Sequence, residues 1–313
     1  MLERPEATPM PLVSVGIPTF NRAHMLRRSI DSALAQDYSN IEVIVSDNAS
    51  RDETSAVCED LCSADRRLRV IKQTENIGPT RNFIAVRDQA RGEFFMWLAD
   101  DDWMDPQYVS ACMRIHLANP ETAVVAGRSL GYRAGIPIGY GRSIRLTQSM
   151  PIARVLRYYA AVGDNGAFYG VMRRNVLLRC QLPNALGGDW VLMAQMAFLG
   201  TIEVDSEVCI HREREGATAE SISGIVRSLG LPRIHALFPF TSIALSAAIS
   251  VLARNSVFSR YDFATRSVVG ALVTLIVLVR GGLTYAKMMV IKVLGIERSR
   301  KIKRLLRIGI RHQ

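Results

Sequence analysis

Three consecutive carboxylates, Asp100-Asp101-Asp102, follow directly on the apolar run Phe95-Met96-Trp97-Leu98. Like charges packed this closely cost free energy unless a cation offsets them. Mg2+ and Mn2+ take oxygen ligands and are commonly held by one or two carboxylates together with substrate phosphates. An acid cluster at the carboxyl end of a strand therefore points to a metal–diphosphate site. The plain alternative is a solvated cluster serving the helix that follows Pro106, since Asp is favoured near helix N-termini.

The elements around the cluster decide between these readings. Apolar and β-branched runs predict strands over 12–17, 41–45, 68–71, 94–99 and 123–126. Helical periodicity between them predicts helices over 23–35, from the 47–50 turn to 61, over 79–90 with Pro79 in the first position, and over 105–117. This alternation implies right-handed crossovers and a mostly parallel sheet, which places ligands beyond the carboxyl ends of its strands. Asn21, Asp47, Asn76 and Asp100–Asp102 all follow strands. After Gly127 the pattern loosens. Gly131, Gly135, Pro137, Gly139 and Gly141 mark 128–150 as a loop or irregular hairpin over the site. A strand over 166–172, a helix over 189–199 and a strand over 207–210 are expected beyond it.

Four segments occur in a fixed order: Val13-Ser14-Val15-Gly16-Ile17-Pro18-Thr19-Phe20-Asn21-Arg22, Val45-Ser46-Asp47-Asn48-Ala49-Ser50-Arg51-Asp52, Asn76-Ile77-Gly78-Pro79-Thr80-Arg81-Asn82-Phe83 and Leu98-Ala99-Asp100-Asp101-Asp102-Trp103. Together they resemble glycosyltransferase family 2 over residues 12–211. The resemblance implies an α/β, Rossmann-like GT-A fold with a nucleotide-sugar-binding half over 12–127 and an acceptor-side half over 128–225, after a short leader over 1–11. It assigns Pro18, Thr19, Phe20 and Asn21 to the nucleotide sugar, with the Phe20 ring stacked on the base. Asp47 matches the carboxylate that accepts from a base imide N–H, as uracil or thymine would offer. The alternatives are a rim residue for Phe20 and an ordinary Asx turn for Asp47. Asp100, Asp101 and Asp102 match the DXD signature, with Asp102 and Asp101 on Mg2+ or Mn2+ and Asp100 nearer the ribose. Asn76 and Gly78 belong to a loop that opens a helix N-terminus, suited to phosphate or ribose. Arg81 is a candidate for the diphosphate, or else a surface helix residue.

The general base should lie in the second half. Gly187-Gly188-Asp189-Trp190 resembles the family's "ED" motif, with Gly188 where Glu is usual and Asp189 in the place of the Asp. A carboxylate beside the apolar Trp190 has its pKa raised, which suits a base. Asp189 is also a candidate N-cap for the run Val191–Leu199, and both roles are compatible. In related sequences the position of His211-Arg212 carries a His or Arg that reaches the diphosphate or metal, which makes His211 a candidate metal ligand. Asp164, in Gly163-Asp164-Asn165-Gly166, is a turn residue that could touch acceptor. The family implies inverting transfer from a UDP-, dTDP- or GDP-sugar to a hydroxyl acceptor.

Charge separates the tail from this domain. Residues 254–313 hold 13 Lys+Arg and 2 Asp+Glu, a net of +11, whereas residues 1–253 sum to −1. A nucleic-acid enzyme would carry its basic excess around the active domain, so no nucleic-acid partner is expected. A basic tail mixed with apolar runs points to an anionic membrane surface. The uncharged runs 234–253 and 267–279 are flanked by Arg233, Arg254, Arg266 and Arg280. A single crossing would translocate a basic flank, so helices lying in the interface are favoured over 226–313, ending in a basic amphipathic stretch over 298–307. The expected location is cytoplasmic, peripheral at the cytoplasmic face, which suits a polyprenyl-linked glycan acceptor. Five cysteines make no paired framework and read as reduced thiols. Two alternatives stand beside the transferase. A nucleotidyltransferase-like enzyme would want a basic Gly-rich loop after the first strand, and Pro18-Thr19-Phe20-Asn21 supplies none. An inactive GT-A-like scaffold is the other, given Gly188.

Overall fold

The computed structural model describes residues 10–213 and 221–308, with side chains as far as Lys287. Most of the 1–11 leader, and the side chains of the basic stretch 298–307, lie outside the described residues.

β1 (Val13–Thr19), β2 (Ile41–Asp47), β3 (Leu68–Lys72) and β4 (Phe94–Trp97) form a parallel sheet in the order β3-β2-β1-β4. α1 (Ala23–Leu34), α2 (Thr54–Ala64) and α3 (Pro79–Asp88) are its crossovers. β1, β2 and β4 are buried on both faces, which is why they read as continuous apolar runs, whereas β3 at the sheet edge is only partly buried. Val13, Val15 and Ile17 pack with Leu26, Ile30 and Leu61 on one side, and Ile44, Phe95 and Trp97 pack with Val86 on the other. Gly16 permits the second contact: a Cβ there would lie 2.8 Å from the Val86 side chain and 2.9 Å from Phe95.

β5 (Trp103–Met104), α4 (Tyr108–Ala118), β6 (Thr122–Arg133), β7 (Ile136–Tyr140), α5 (Pro151–Ala161), β8 (Val171–Arg173), α6 (Arg174–Leu177), α7 (Gly188–Leu199) and β9 (Thr201–Glu213) complete the domain. Beyond β4 the sheet runs β8-β6-β9-β5 and is mixed, because β8 is antiparallel to both of its neighbours while β9 is parallel to β6. The strand expected over 123–126 is the buried first half of a longer one that shifts register near Ala126/Arg128 and then pairs with β7. Ala134 and Gly135, both at positive φ, make its hairpin turn. Residues 166–169 form a 3-10 turn, so β8 starts later than expected. This turn sets the Phe168 ring flat on Trp97, 4.8 Å between centroids.

The tail adds α8 (Ile222–Ser228), α9 (Ile234–Leu237), α10 (Pro239–Leu252) and α11 (Phe263–Ile308). α10 packs on α7 and α11, and α11 packs on α5. Ala244, Ala247, Val251, Val269, Val273 and Val277 join the core on the α3 side of the sheet. The opposite face of α11 leaves Val268, Leu272, Leu275, Val279 and Leu283 exposed. Phe263–Lys287 is long and apolar enough to cross a bilayer by length and composition. All five cysteines are free thiols. Cys58, Cys112 and Cys180 are buried and Cys62 is exposed.

Candidate active site

The carboxyl ends of β1, β2 and β4 lie side by side, with Thr19 opposite Asp47 and Gly16 opposite Trp97. Asp100, Asp101 and Asp102 follow β4 and are anchored through their backbone. The Arg28 guanidinium donates to Asp101 O, and Ser29 Oγ donates to Ala99 O and Asp102 O. The side chains face inward: Asp101 and Asp102 are 6% and 2% exposed, and the cluster lines a cavity of about 110 Å3 with Pro18, Tyr169 and Arg212. The solvated-cluster reading is therefore excluded. Burial lifts Asp100 and Asp102 to about 7, and Asp101 pushes both the same way. Burial raises Asp101 as well.

Arg212, from β9, is the cluster's internal counter-ion. Its Nε lies 3.4 Å from Asp102 Oδ2, its Nη1 donates to Asp164 O at 2.9 Å, and its guanidinium lies 4.8 Å from the Tyr169 ring centroid. Asp102 Oδ1 accepts from Glu213 N, while the buried Oδ2 accepts no hydrogen bond. An enclosed, acid-raised cluster with an oxygen short of donors fits a divalent cation. Among the described residues no three His, Cys, Asp or Glu side chains already converge as a ligating set. The residues thus fit a cation shared between one or two carboxylates and a substrate diphosphate.

A second cavity, of about 320 Å3, adjoins the first, and Phe83, Tyr169 and Arg212 line both. Asp189 opens onto it from the first turn of α7. The cap of that helix is Gly187 rather than Asp189. A Cβ at Gly188 would fall 2.3 Å from Pro183 O, so this backbone leaves no room for the Glu usual at that place. Asn165 Nδ2 donates to Asp189 Oδ2 at 2.7 Å, and Tyr158 Oη donates to Asn165 Oδ1 at 2.9 Å. Burial raises the Asp189 carboxyl, with Asn165 and the helix amides opposing it.

The remaining expected residues divide. Phe20 is 40% exposed beyond β1, as a stacking platform must be. Asp47 is buried and does form a turn, accepting from Ser50 N at 3.0 Å and Ser55 Oγ at 2.9 Å. Asn21 and Asn76 are occupied by the chain itself: Asn21 Oδ1 accepts from Arg51 N, and Asn76 Oδ1 accepts from Asn48 Nδ2 and Gly78 N. Gly78, at φ 82°, opens α3 with no heavy atom within 4 Å of where its Cβ would stand. Arg81 is exposed on α3, while Pro79, Thr80 and Phe83 of the same turn line the larger cavity. His211 requires a correction. Its Nε2 is 2.7 Å from Asp105 Oδ1, its Nδ1 is 3.2 Å from Tyr132 Oη, and its ring stacks on Trp103. Side chains alternate along a strand, so it is Arg212 of this pair that meets the acid cluster. Sequence reasoning missed Asn165, Tyr158 and Tyr169. The turn quartet at 163–166 was visible, but which of its side chains reaches Asp189 was not.

A family model described as glycosyl transferase family 2 matches residues 14–179. The chain belongs to glycosyltransferase family 2. Among curated family relatives, the GalNAc(5)-diNAcBac-PP-undecaprenol beta-1,3-glucosyltransferase of Campylobacter jejuni is 39% identical over 127 residues, 40% of this chain and 40% of that protein. The putative glycosyltransferase EpsH of Bacillus subtilis is 32% identical over 116 residues, 37% of this chain and 33% of that protein. The match spans between 17% and 40% of the length of these and other curated relatives. Solved structures show the GT-A fold. Staphylococcus aureus TarS 1–349 in complex with UDP-GlcNAc aligns with TM-score 0.59 and 18% identity over 83% of this chain and 70% of that one. The mannosyltransferase PcManGT of Pyrobaculum calidifontis, in complex with GDP-Man and Mn2+, aligns with TM-score 0.50 and 18% identity over 87% of each. The family match covers the acid cluster and ends before Asp189 and Arg212, which the fold brings to the same cleft.

Proposed function

We propose that the chain moves a sugar, with inversion, from a nucleoside diphosphate to a hydroxyl of a polyprenyl-diphosphate-linked glycan. The observation that carries this is the pair of adjoining cavities: one walled by Asp100–Asp102, the other by Asp189, with Arg212 and Tyr169 between them. Phe20 and Asp47 hold the base, and the Asp47 carboxylate suits the imide of uracil or thymine. Asp102 and Asp101 hold Mg2+ or Mn2+, which when bound supplies positive charge for the diphosphate. Arg212 adds a fixed cation on the same side. Asp189 takes the proton of the acceptor hydroxyl, whose oxygen attacks the anomeric carbon from the face opposite the diphosphate. The C–O bond to the diphosphate breaks with its electron pair on the leaving oxygen. The acceptor class follows the Campylobacter jejuni relative, whose name carries an undecaprenol diphosphate.

Thermal shifts with UDP-, GDP- and dTDP-sugars, with and without Mn2+, test the donor site, because ligand binding raises Tm by mass action. The rise should need both nucleotide and Mn2+. It should also grow from pH 6 to pH 8. The cluster's folded pKa values lie above the ordinary carboxylate range, so the metal-free protein loses stability as pH rises through about 7, and a cation competes with protons for the same oxygens. A shift equal without metal, or larger at pH 6, would overturn the assignment.

The tail seats the enzyme on the cytoplasmic face of the membrane. The exposed stripe from Val268 to Leu283 supplies apolar area, and the basic excess supplies attraction to anionic lipid. The full chain should float with phosphatidylglycerol vesicles at low salt and much less with phosphatidylcholine vesicles. Resistance to alkaline carbonate would mark a crossing helix and displace the peripheral reading.

A further inference from the structure

Most inward contacts of α11 are apolar, made by Val269, Val273 and Val277. Two arginines differ: Arg266 donates to Leu252 O and Ala253 O at the end of α10, and closer to the site stands Arg280. Its Nη1 donates to Tyr159 O and its Nη2 to Val162 O, and its guanidinium carbon lies 5.3 Å from the Trp190 ring centroid. Tyr159 and Val162 are at the carboxyl end of α5, where carbonyls lack intrahelical donors and a cation is favourable. The same last turn carries Tyr158, which holds Asn165, which holds Asp189. Trp190 is the residue after Asp189. One side chain of the outer helix therefore grips both supports of the base: the helix end that supplies Tyr158, and the ring next to the carboxylate.

Filling this space did not require a charge. Burying a guanidinium against two carbonyls costs desolvation that a methionine would avoid. What the guanidinium adds is direction, since a planar fork on two carbonyls fixes both angle and distance.

We propose that Arg280 is a positioning residue through which α11 sets the geometry of Asp189. The rate of transfer then depends on how α11 is seated, while donor binding does not. The inference rests on Asp189 being the base. The exposed Val279 and Leu283 flank Arg280 on the same helix, so a surface that presses on this face of α11 acts on the same lever.

The test uses the full chain and follows release of nucleoside diphosphate from whichever of UDP-, GDP- or dTDP-glucose gives the largest thermal shift. R280Q should lower kcat by between about tenfold and a hundredfold, the scale of a small misplacement in an active site. Donor KM and the Mn2+-dependent thermal shift should stay as in the wild type. R280K, which keeps a cation and its donors, should recover much of the rate. Y158F, which removes one hydroxyl from the relay, should show the same split between kcat and KM. R280Q/Y158F should be little worse than the worse single variant, because both act along one path. Unchanged kcat in R280Q or in Y158F overturns the proposal, and so does a double variant whose losses multiply. If R280Q does not fold, Y158F and R280K decide alone. D189N is the control: if it keeps full activity, the base assignment has failed, whereas if it is inactive and R280Q and Y158F are normal, only the coupling has failed.

Discussion

Asp189→Asn should give an enzyme that binds its donor and leaves it intact. Release of nucleoside diphosphate should fall by between about 10²- and 10⁴-fold, the range that general acid–base groups contribute. The substitution is nearly isosteric. Its amide oxygen can still accept from Asn165 Nδ2, and the helix is capped at Gly187, so the start of α7 is kept although the charge that meets its first amides is lost. Donor-dependent and Mn2+-dependent thermal shifts should therefore be those of the wild type. The resting protein should melt higher at pH 8. Burial raises the Asp189 pKa above its unfolded value, so the ionised carboxylate costs stability as pH rises, and the neutral amide removes that cost. Turnover at the wild-type rate, or a lost thermal shift, would exclude Asp189 as the base.

The second large effect is expected at Arg212. Arg212→Met keeps much of the volume and removes the one cation that, among the described residues, lies within 4 Å of Asp102. Breaking a buried ion pair by deleting one partner costs about 3–5 kcal/mol, because the remaining charge is left in a low-dielectric site. Both partners qualify, at 5% and 2% exposure. The loss should be greater at pH 8 than at pH 6, since Asp102 is held near 7 and below that it can protonate instead. Mn2+ with nucleotide should restore part of the Tm, and turnover should stay low. Arg212→Lys should rescue poorly, because a point charge cannot meet Asp102, the Asp164 carbonyl and the Tyr169 ring together. A Tm within a degree of wild type would remove the counter-ion role.

The first half was legible because β1, β2 and β4 are short, buried on both faces and followed closely by their polar residues. Asp47 ends β2, and Asp100 comes three residues after β4. Local pattern and local chemistry agree there. In the second half they separate. The early part of β9 carries Asp205, Ser206 and Glu207, so only its apolar end reads as strand. α5 went unread although Pro151 marks its start and Val155, Tyr158 and Tyr159 face the core at helical spacing. The site itself was half visible. Asp189 could be found by its neighbours, but Asn165 and Arg212 meet it and the acid cluster only through tertiary contacts that span 24 and 110 residues of chain. Arg81 was open to two readings, a diphosphate contact or a surface helix residue, and the structure places it exposed on α3.

The distribution of thiols has a practical consequence. Burial pushes Cys58 and Cys180 up to about 12, pushes Cys112 higher still and raises Cys209 too, so at neutral pH these sulfurs stay protonated and slow to alkylate. Cys62 is the exposed one, on the helix whose Ser55 grips Asp47. Cys62 sits near the carboxyl end of that helix, its thiol donating to Leu68 O at the start of β3, so maleimide chemistry on the wild-type chain should attach a single fluorophore away from the acid cluster without any engineered cysteine.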